Sequence, residues 1–253
     1  MPTPPSKPRK RSRLESAKSL IGALLVFFFI RLFIVEAYRI PTGSMIPTLL
    51  VGDWLFVNKL VYGPHIPFTD ILLPGYSSPH HGDVVVFKSP NQIDQPEDPN
   101  PTLVKRLQGE PGDTLYMRNG VLYVNGVPRP QGPGFNTQYD PNDLSDPMTP
   151  PNETHPDYVW QKQYQIKGSR FGPPPDTITH DSWGPIVVPP KHYFMMGDNR
   201  YRSKDSRYWG FVPRVNIRGE PMFIYYSYDT DAGLDYFRAI TEIRWRRLGH
   251  WVK

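Results

Sequence analysis

The chain has no cysteine. A disulfide framework and thiolate metal ligation are therefore excluded, and so is every hydrolase that uses a thiol nucleophile. Long helices should be scarce too, because 31 prolines and 20 glycines among 253 residues mark loops and extended connections. A basic surface for nucleic acid is also missing. The formal charge of +5 comes largely from Lys7, Arg9, Lys10, Arg11, Arg13 and Lys18, crowded near the N-terminus, and no basic stripe interleaved with aromatics follows them. Nucleic acid is not an expected partner.

What is present begins after that cluster. Leu20 to Tyr38 reads LIGALLVFFFIRLFIVEAY, and at about 1.5 Å per residue it would reach roughly 28 Å, close to the hydrocarbon thickness of a bilayer. Arg31 lies beyond the midpoint, where its long side chain can snorkel outward, and Glu36 belongs to the far interface. A buried core helix is the bland alternative, but the run has no polar face. A cleaved signal peptide is another, with Val35 and Ala37 as small residues before the cut, although the run exceeds the usual apolar length of such peptides. The positive-inside rule makes residues 1–18 a basic cytoplasmic tail and 19–38 a single-pass transmembrane anchor, with everything after Tyr38 on the far side.

The chain as a whole is 38% apolar, enough for a core. Strand-length runs separated by turn residues recur at Trp54 to Leu60, Asp83 to Phe87, Thr102 to Leu107, Thr114 to Met117, Val121 to Val124, Ile186 to Val188, Tyr193 to Met196 and Met222 to Tyr228. Asn119 and Gly120 supply the positive-φ pair of a type I′ hairpin, and Asn125 with Gly126 repeats the signal. The fold class is therefore mostly β, in two parts, 39–127 and 186–230. Between them, 128–185 is a Pro/Gly-rich insertion read as a cap-like surface excursion, with YVWQKQYQI as its one strand-like island; Asn91 to Pro101 is a shorter loop. The basic, aromatic segment 231–253 fits either a helix at the lipid interface or a solvated helix or edge strand on the domain.

PTGSMIPTLL, Pro41 to Leu50, sets Ser44 directly beyond the apolar run. A serine needs a base to take its proton and donors to hold the oxyanion. His65, His80, His81, His155, His180, His192 and His250 lie mostly in proline-rich or loop contexts, the setting of surface histidines, and none falls in a recognisable catalytic arrangement. Lysine is the other candidate, since a desolvated amine falls from its usual pKa toward neutrality. Lys105 sits in the strand-type run LVKRLQGEPGD, where alternation sends Val104 and Arg106 to one face and Lys105 to the other. A third element, MMGDNRYRSKDSRYWGFVP from Met195 to Pro213, packs turn formers and opposite charges between strand-like flanks.

Together, in this order and after an anchor, PTGSMIPTL, GDVVVF, VKRLQGEPGD and GDNRYRSKDSRYWGFVP resemble the boxes of the bacterial type I signal peptidases. The resemblance implies a membrane-bound Ser-Lys serine endopeptidase on a coiled antiparallel β-sheet domain. It would cut signal peptides from exported preproteins after small residues, at the plasma membrane and near the export machinery, without metal or cofactor. It implies Ser44 as nucleophile and Lys105 as general base, with Thr42 and the Ser44 amide as the oxyanion hole. Ser203 would hold the Lys105 amine, Asp205 and Arg207 would form a supporting ion pair, and Gly197, Asp198 and Asn199 would support the site. Small-residue pockets are expected near Pro41 to Met45 and Gly82 to Val86. Many members carry a second N-terminal span, where this sequence shows one, and the insertion 128–185 matches none of the boxes. Two other classes share these residues: a self-cleaving Ser-Lys regulator, which would carry a DNA-binding domain in place of the anchor, and a tethered binding module in which Ser44 and Lys105 are structural.

Overall fold

The apolar run folds as a helix that starts and stops earlier than its hydropathy implied. In the computed structural model, which describes residues 13–67, 69, 71–90, 92, 96–129, 150–229 and 240–253, α1 spans Arg13–Phe33. Lys7, Arg9, Lys10 and Arg11, the first part of the insertion and Tyr236 to Arg238 lie outside the described residues. Within α1, Glu15–Phe33 has a mean hydropathy of 1.8 and no residue buried, so it is long and apolar enough to cross a membrane. The expected span ran on to Tyr38, but Val35–Arg39 instead forms the strand β1. It pairs antiparallel with β2, Asp53–Asn58, from Val35 opposite Asn58 to Arg39 opposite Trp54. β-Branched Ile34 and Val35 favour that extended exit. Lys59 finishes the helix end, donating to the carbonyls of Arg31 and Leu32 at 3.2 and 3.3 Å while its ammonium pairs with Glu36 at 2.7 Å.

The other strands follow as β3 Val84–Lys88, β4 Thr102–Gly109, β5 Thr114–Arg118, β6 Val121–Val124, β7 Val127–Pro128, β8 Trp183–Val187, β9 His192–Met196, β10 Val212–Pro213 and β11 Ile217–Ser227. They make a seven-stranded sheet in the order β1-β2-β11-β3-β4-β9-β10 and a four-stranded one in the order β7-β6-β5-β8, with antiparallel neighbours throughout. The sheet curls because single strands serve two partners: β11 pairs first with β3 and then with β2, through register shifts that act as bulges. The chain is mostly β, as the apolar runs indicated. The first hairpin has the expected turn, with Asn119 at φ 49° and Gly120 at φ 78° between paired Arg118 and Val121.

The insertion contributes to the core. YVWQKQYQI is not a strand; Pro156–Tyr164 forms a 3-10 helix, opened by Pro156 and capped by His155 Nδ1, which accepts from the Asp157 N–H at 3.2 Å. Tyr158 and Gln161 are buried and Tyr164 is packed against the core, a spacing of three that suits this helix and not a strand. Trp183, fully buried in β8, anchors the cluster between the sheets with Leu115, Phe194 and Phe211.

The C-terminal segment resolves toward the domain. Ile243 bridges to Tyr228 and Trp251 to Phe223, and Val252 joins Met45 and Leu49 in the cluster under the Ser44 loop. Arg247 binds the buried Asp53 carboxylate at 2.9 and 2.5 Å and the Thr48 carbonyl at 3.0 Å. Asp53 also accepts from the Leu50 N–H and the Ser227 hydroxyl. Arg247→Ala leaves this carboxylate without its cation and should lower unfolding free energy by about 2 to 3 kcal/mol. A thermal midpoint equal to that of the unsubstituted chain would contradict the role.

Candidate active site

Ser44 sits in a single 3-10 turn, Gly43–Met45, whose three residues are all buried. Met45 is wholly enclosed and faces the protein core. The turn is fixed from β9's far end: the Asn199 N–H donates to the Ser44 carbonyl at 3.1 Å and its side-chain amide to the Gly43 carbonyl at 3.3 Å. Gly197 allows that approach, since a Cβ there would stand 2.5 Å from the Ser44 carbonyl oxygen and from Ser203 Cβ.

Lys105 comes from the middle of β4, opposite Val85, while its neighbours Val104 and Arg106 stand opposite Val86 and Val84. The pairing follows the alternation read from the sequence. Only 3% of Lys105 is exposed, and its Nζ is hydrogen-bonded to Ser44 Oγ. Burial brings its pKa down to about 8; Asp205 and Asp198 pull it up while Arg207 pushes it down. An amine so placed is neutral in a large fraction of molecules in mildly alkaline solution.

Around the pair lie two ion systems. Asp205 and Arg207, flanking the start of the short helix α2, Ser206–Trp209, join through two contacts of 2.8 Å. Burial pushes the Asp205 carboxyl up, but Arg207 and the Gly197 N–H at 3.0 Å outweigh it and hold it below the usual carboxylate range. Burial likewise pushes the Arg207 guanidinium down and Asp205 more than restores it. The second system is Asp198, bound by Arg106 at 2.8 and 2.7 Å and by the Thr48 hydroxyl at 2.5 Å. Arg106 also donates to the carbonyls of Gly82 and Lys253, so it ties β4 to the C-terminal segment.

The remaining expected residues divide. Thr42 is exposed, with Oγ1 3.5 Å from Ser44 Oγ. Ser203 is buried, but its hydroxyl has no hydrogen-bond partner, so it does not hold the lysine amine in this state. Its Oγ lies beside Gly197 instead. A narrow cleft of about 80 Å³ opens beside Ser44 and Lys105, lined by Tyr38 to Thr42, Leu55, Val86 and Thr102 to Val104. Of the Gly82 to Val86 stretch only Val86 lines it.

Four contributors were not legible as such. Arg106 read only as the alternate-face neighbour of Lys105. Trp160 and Gln161 of the insertion donate to the Arg207 carbonyl at 3.0 and 3.3 Å and brace α2 from outside. His180 is 1% exposed and contacts Arg207, which corrects its reading as a surface residue; the cause is a fold-back that no local pattern signals. Among the described residues no group of three or more His, Asp or Glu side chains is arranged to hold a metal ion.

Known proteins resemble this chain over most of its length. The family model for signal peptidase, peptidase S26, matches residues 13–226. The signal peptidase I of Pseudomonas aeruginosa is 35% identical over 236 residues, covering 85% of this chain and 73% of that protein. That of Aquifex aeolicus is 34% identical over 235 residues, covering 81% and 80%. A crystal structure of a signal peptidase I from Enterococcus faecalis aligns with 57% of this chain and 97% of its own at 26% identity, with a TM-score of 0.32. The family match takes in the apolar helix, the Ser44 turn, β4 and the whole Gly197 to Arg207 loop, and on it the chain belongs to the signal peptidase family, peptidase S26.

Proposed function

We propose that this chain removes N-terminal signal peptides from exported preproteins, with Ser44 as nucleophile and Lys105 as general base. The observation that carries the reading is the buried hydrogen bond between Ser44 Oγ and Lys105 Nζ at the end of a narrow cleft. The neutral amine takes the hydroxyl proton as Oγ attacks the scissile carbonyl. The Ser44 N–H and the Thr42 hydroxyl hold the oxyanion, and the ammonium then passes its proton to the leaving amine. Water, deprotonated by the same amine, releases the acyl group.

The substrate enters as an extended segment. Among the described residues Thr102 to Lys105 of β4 have no ladder partner opposite β3, and β1 is the outer strand of its sheet. A peptide laid along these edges would form main-chain hydrogen bonds on entering the cleft. The walls, Ile40, Leu55, Val86 and Val104, are apolar and close together, which suits small side chains before the cut.

Anchoring follows from α1. With the basic end cytoplasmic, the domain lies on the outer side of the plasma membrane, where export machinery delivers preproteins. Trp245 and Trp251, 72% and 60% exposed, suit an adjacent lipid interface.

The test is cleavage of a preprotein by the purified full chain in detergent. A substrate with alanine at the first and third positions before the cut should be processed. Tryptophan at either position should lower kcat/KM by about a hundredfold or more. Equal cleavage of both substrates would remove the assignment, and loss of the intact enzyme with no substrate added would favour self-cleavage.

A further inference from the structure

His180 lies outside the catalytic pair but inside the charge system that supports it. Its Nδ1 is 2.8 Å from Asp181 Oδ1, and its Nε2 meets Arg207 Nη1. One protonation state satisfies both: a neutral imidazole whose Nδ1–H donates to the carboxylate and whose Nε2 accepts from the guanidinium. The Arg200 carbonyl lies 3.1 Å from Nε2, the Tyr201 ring stacks on the imidazole, and the His180 N–H donates to the Glu153 carbonyl. Asp181 in turn accepts from the Asn152 N–H at 3.2 Å and the Tyr201 hydroxyl at 3.4 Å. The charged groups facing the ring are thus Asp181 on its own segment and, from the α2 side, Arg207 with Asp205 behind it.

Arg207 has no slack. Its Nε and Nη2 serve Asp205, Nη2 also serves the Arg200 and Ser203 carbonyls, and among the described residues Nη1 has His180 as its acceptor.

We propose that His180, oriented by Asp181, is a positioning residue for Lys105: it holds the Arg207 fork on Asp205 and lets it go when the imidazole gains a proton. The proposal rests on Lys105 being the base. A protonated ring presents N–H to N–H and cation to cation in a buried site, so the guanidinium must withdraw. Asp205 is then less neutralised, and its charge holds a proton on the Lys105 amine. Burial first, then Arg207, holds the ring below the usual histidine range against the pull of Asp181, so the joint stays intact at neutral pH and opens only in acid.

Two variants of the full chain in detergent separate the outcomes. His180→Gln keeps an uncharged acceptor at every pH; His180→Phe has none. Cleavage of a preprotein from pH 5 to 10 should show His180→Phe with kcat down about tenfold and KM within about twofold. Its alkaline-rising limb should move up by about half a pH unit or more. His180→Gln should recover kcat to within about threefold and leave the limb in place. On the acid side the unsubstituted chain should lose activity with a logarithmic slope approaching about two, and His180→Gln with about one, because one of two protonations has been removed.

A second readout needs no turnover. In a Ser44→Ala background, carbon-13 NMR titration of labelled lysine, with Lys105 assigned by its loss in Lys105→Met, reads the amine directly. An upward shift in His180→Phe supports the coupling. Identical Lys105 titration with histidine, glutamine or phenylalanine at 180 overturns it, even with Lys105 as base. If His180→Phe does not fold, the acid slope of His180→Gln decides the matter: a slope of about one supports the coupling and a slope equal to that of the unsubstituted chain overturns it. Failure of the underlying reading looks different: Lys105→Met would still cut.

Discussion

Lys105→Met should lower preprotein cleavage by at least about a thousandfold and, at pH 7, raise the thermal midpoint of the chain. The first effect follows from geometry, since Lys105 Nζ is the group hydrogen-bonded to the Ser44 hydroxyl, and a nucleophile and its base act as a unit. The second follows from linkage. Burial brings the amine from 10.5 to about 8 in the folded chain. Between those values the unfolded chain binds a proton that the native one lacks, so native stability rises with pH across that interval. Below pH 8 both states hold the proton and the full cost remains, about 3 kcal/mol by that difference. Methionine fills nearly the same space without a charge and removes the cost, which corresponds to several degrees in the midpoint. The same shift makes cleavage by the unsubstituted chain climb as pH rises through about 8. A Lys105→Met enzyme with even a tenth of normal activity would defeat the mechanism. A midpoint that falls at pH 7 would show that the ammonium is held by more than its neighbours here provide.

The sequence was most readable where a local rule sufficed. Asn119-Gly120 fixes its hairpin because both residues tolerate positive φ, and the apolar alternation around Lys105 survives in the pairing of β3 and β4. The boxes that carried the family resemblance did so without showing contacts. Misreadings arose where tertiary partners decided. Val35 to Tyr38 is apolar enough to prolong a membrane helix, yet β2 offers it a ladder and Lys59 closes the helix before it. YVWQKQYQI alternates loosely, but its buried positions repeat every third residue once Pro156 has started a turn. His180 stands in a stretch rich in proline and glycine, and its importance depends on Arg207, which is 27 residues away. No window of local sequence contains that contact.

Arg207→Met should be the most destabilising substitution of a side chain remote from substrate. Asp205 and Arg207 are both fully buried, and the guanidinium makes two charge-assisted bonds to the carboxylate. Removing it abandons a carboxylate in the interior, takes the guanidinium contacts from the Arg200 carbonyl and His180 Nε2, and should cost about 3 to 5 kcal/mol. Arg207→Lys keeps the charge but has no planar fork to match both oxygens, so it should recover less than about half of that loss. Activity should fall as well, with the rate profile displaced to higher pH, because an unneutralised Asp205 raises the Lys105 pKa. The sign of the coupling separates a buried pair from two independent contacts. In Asp205→Leu/Arg207→Met no charge is stranded, and the loss should be smaller than the sum of the singles by about 2 kcal/mol or more. It should not return to the stability of the unsubstituted chain, since Asp205 also accepts from the Gly197 N–H and caps α2 through the Arg207 N–H. Additive losses in urea or thermal unfolding would mean that the two side chains do not act as a pair. The Gly197 to Arg207 loop would then owe its position over Ser44 to its other contacts, among them those of Asn199, of Arg106 and Thr48 with Asp198, and of Trp160 and Gln161 with the Arg207 carbonyl.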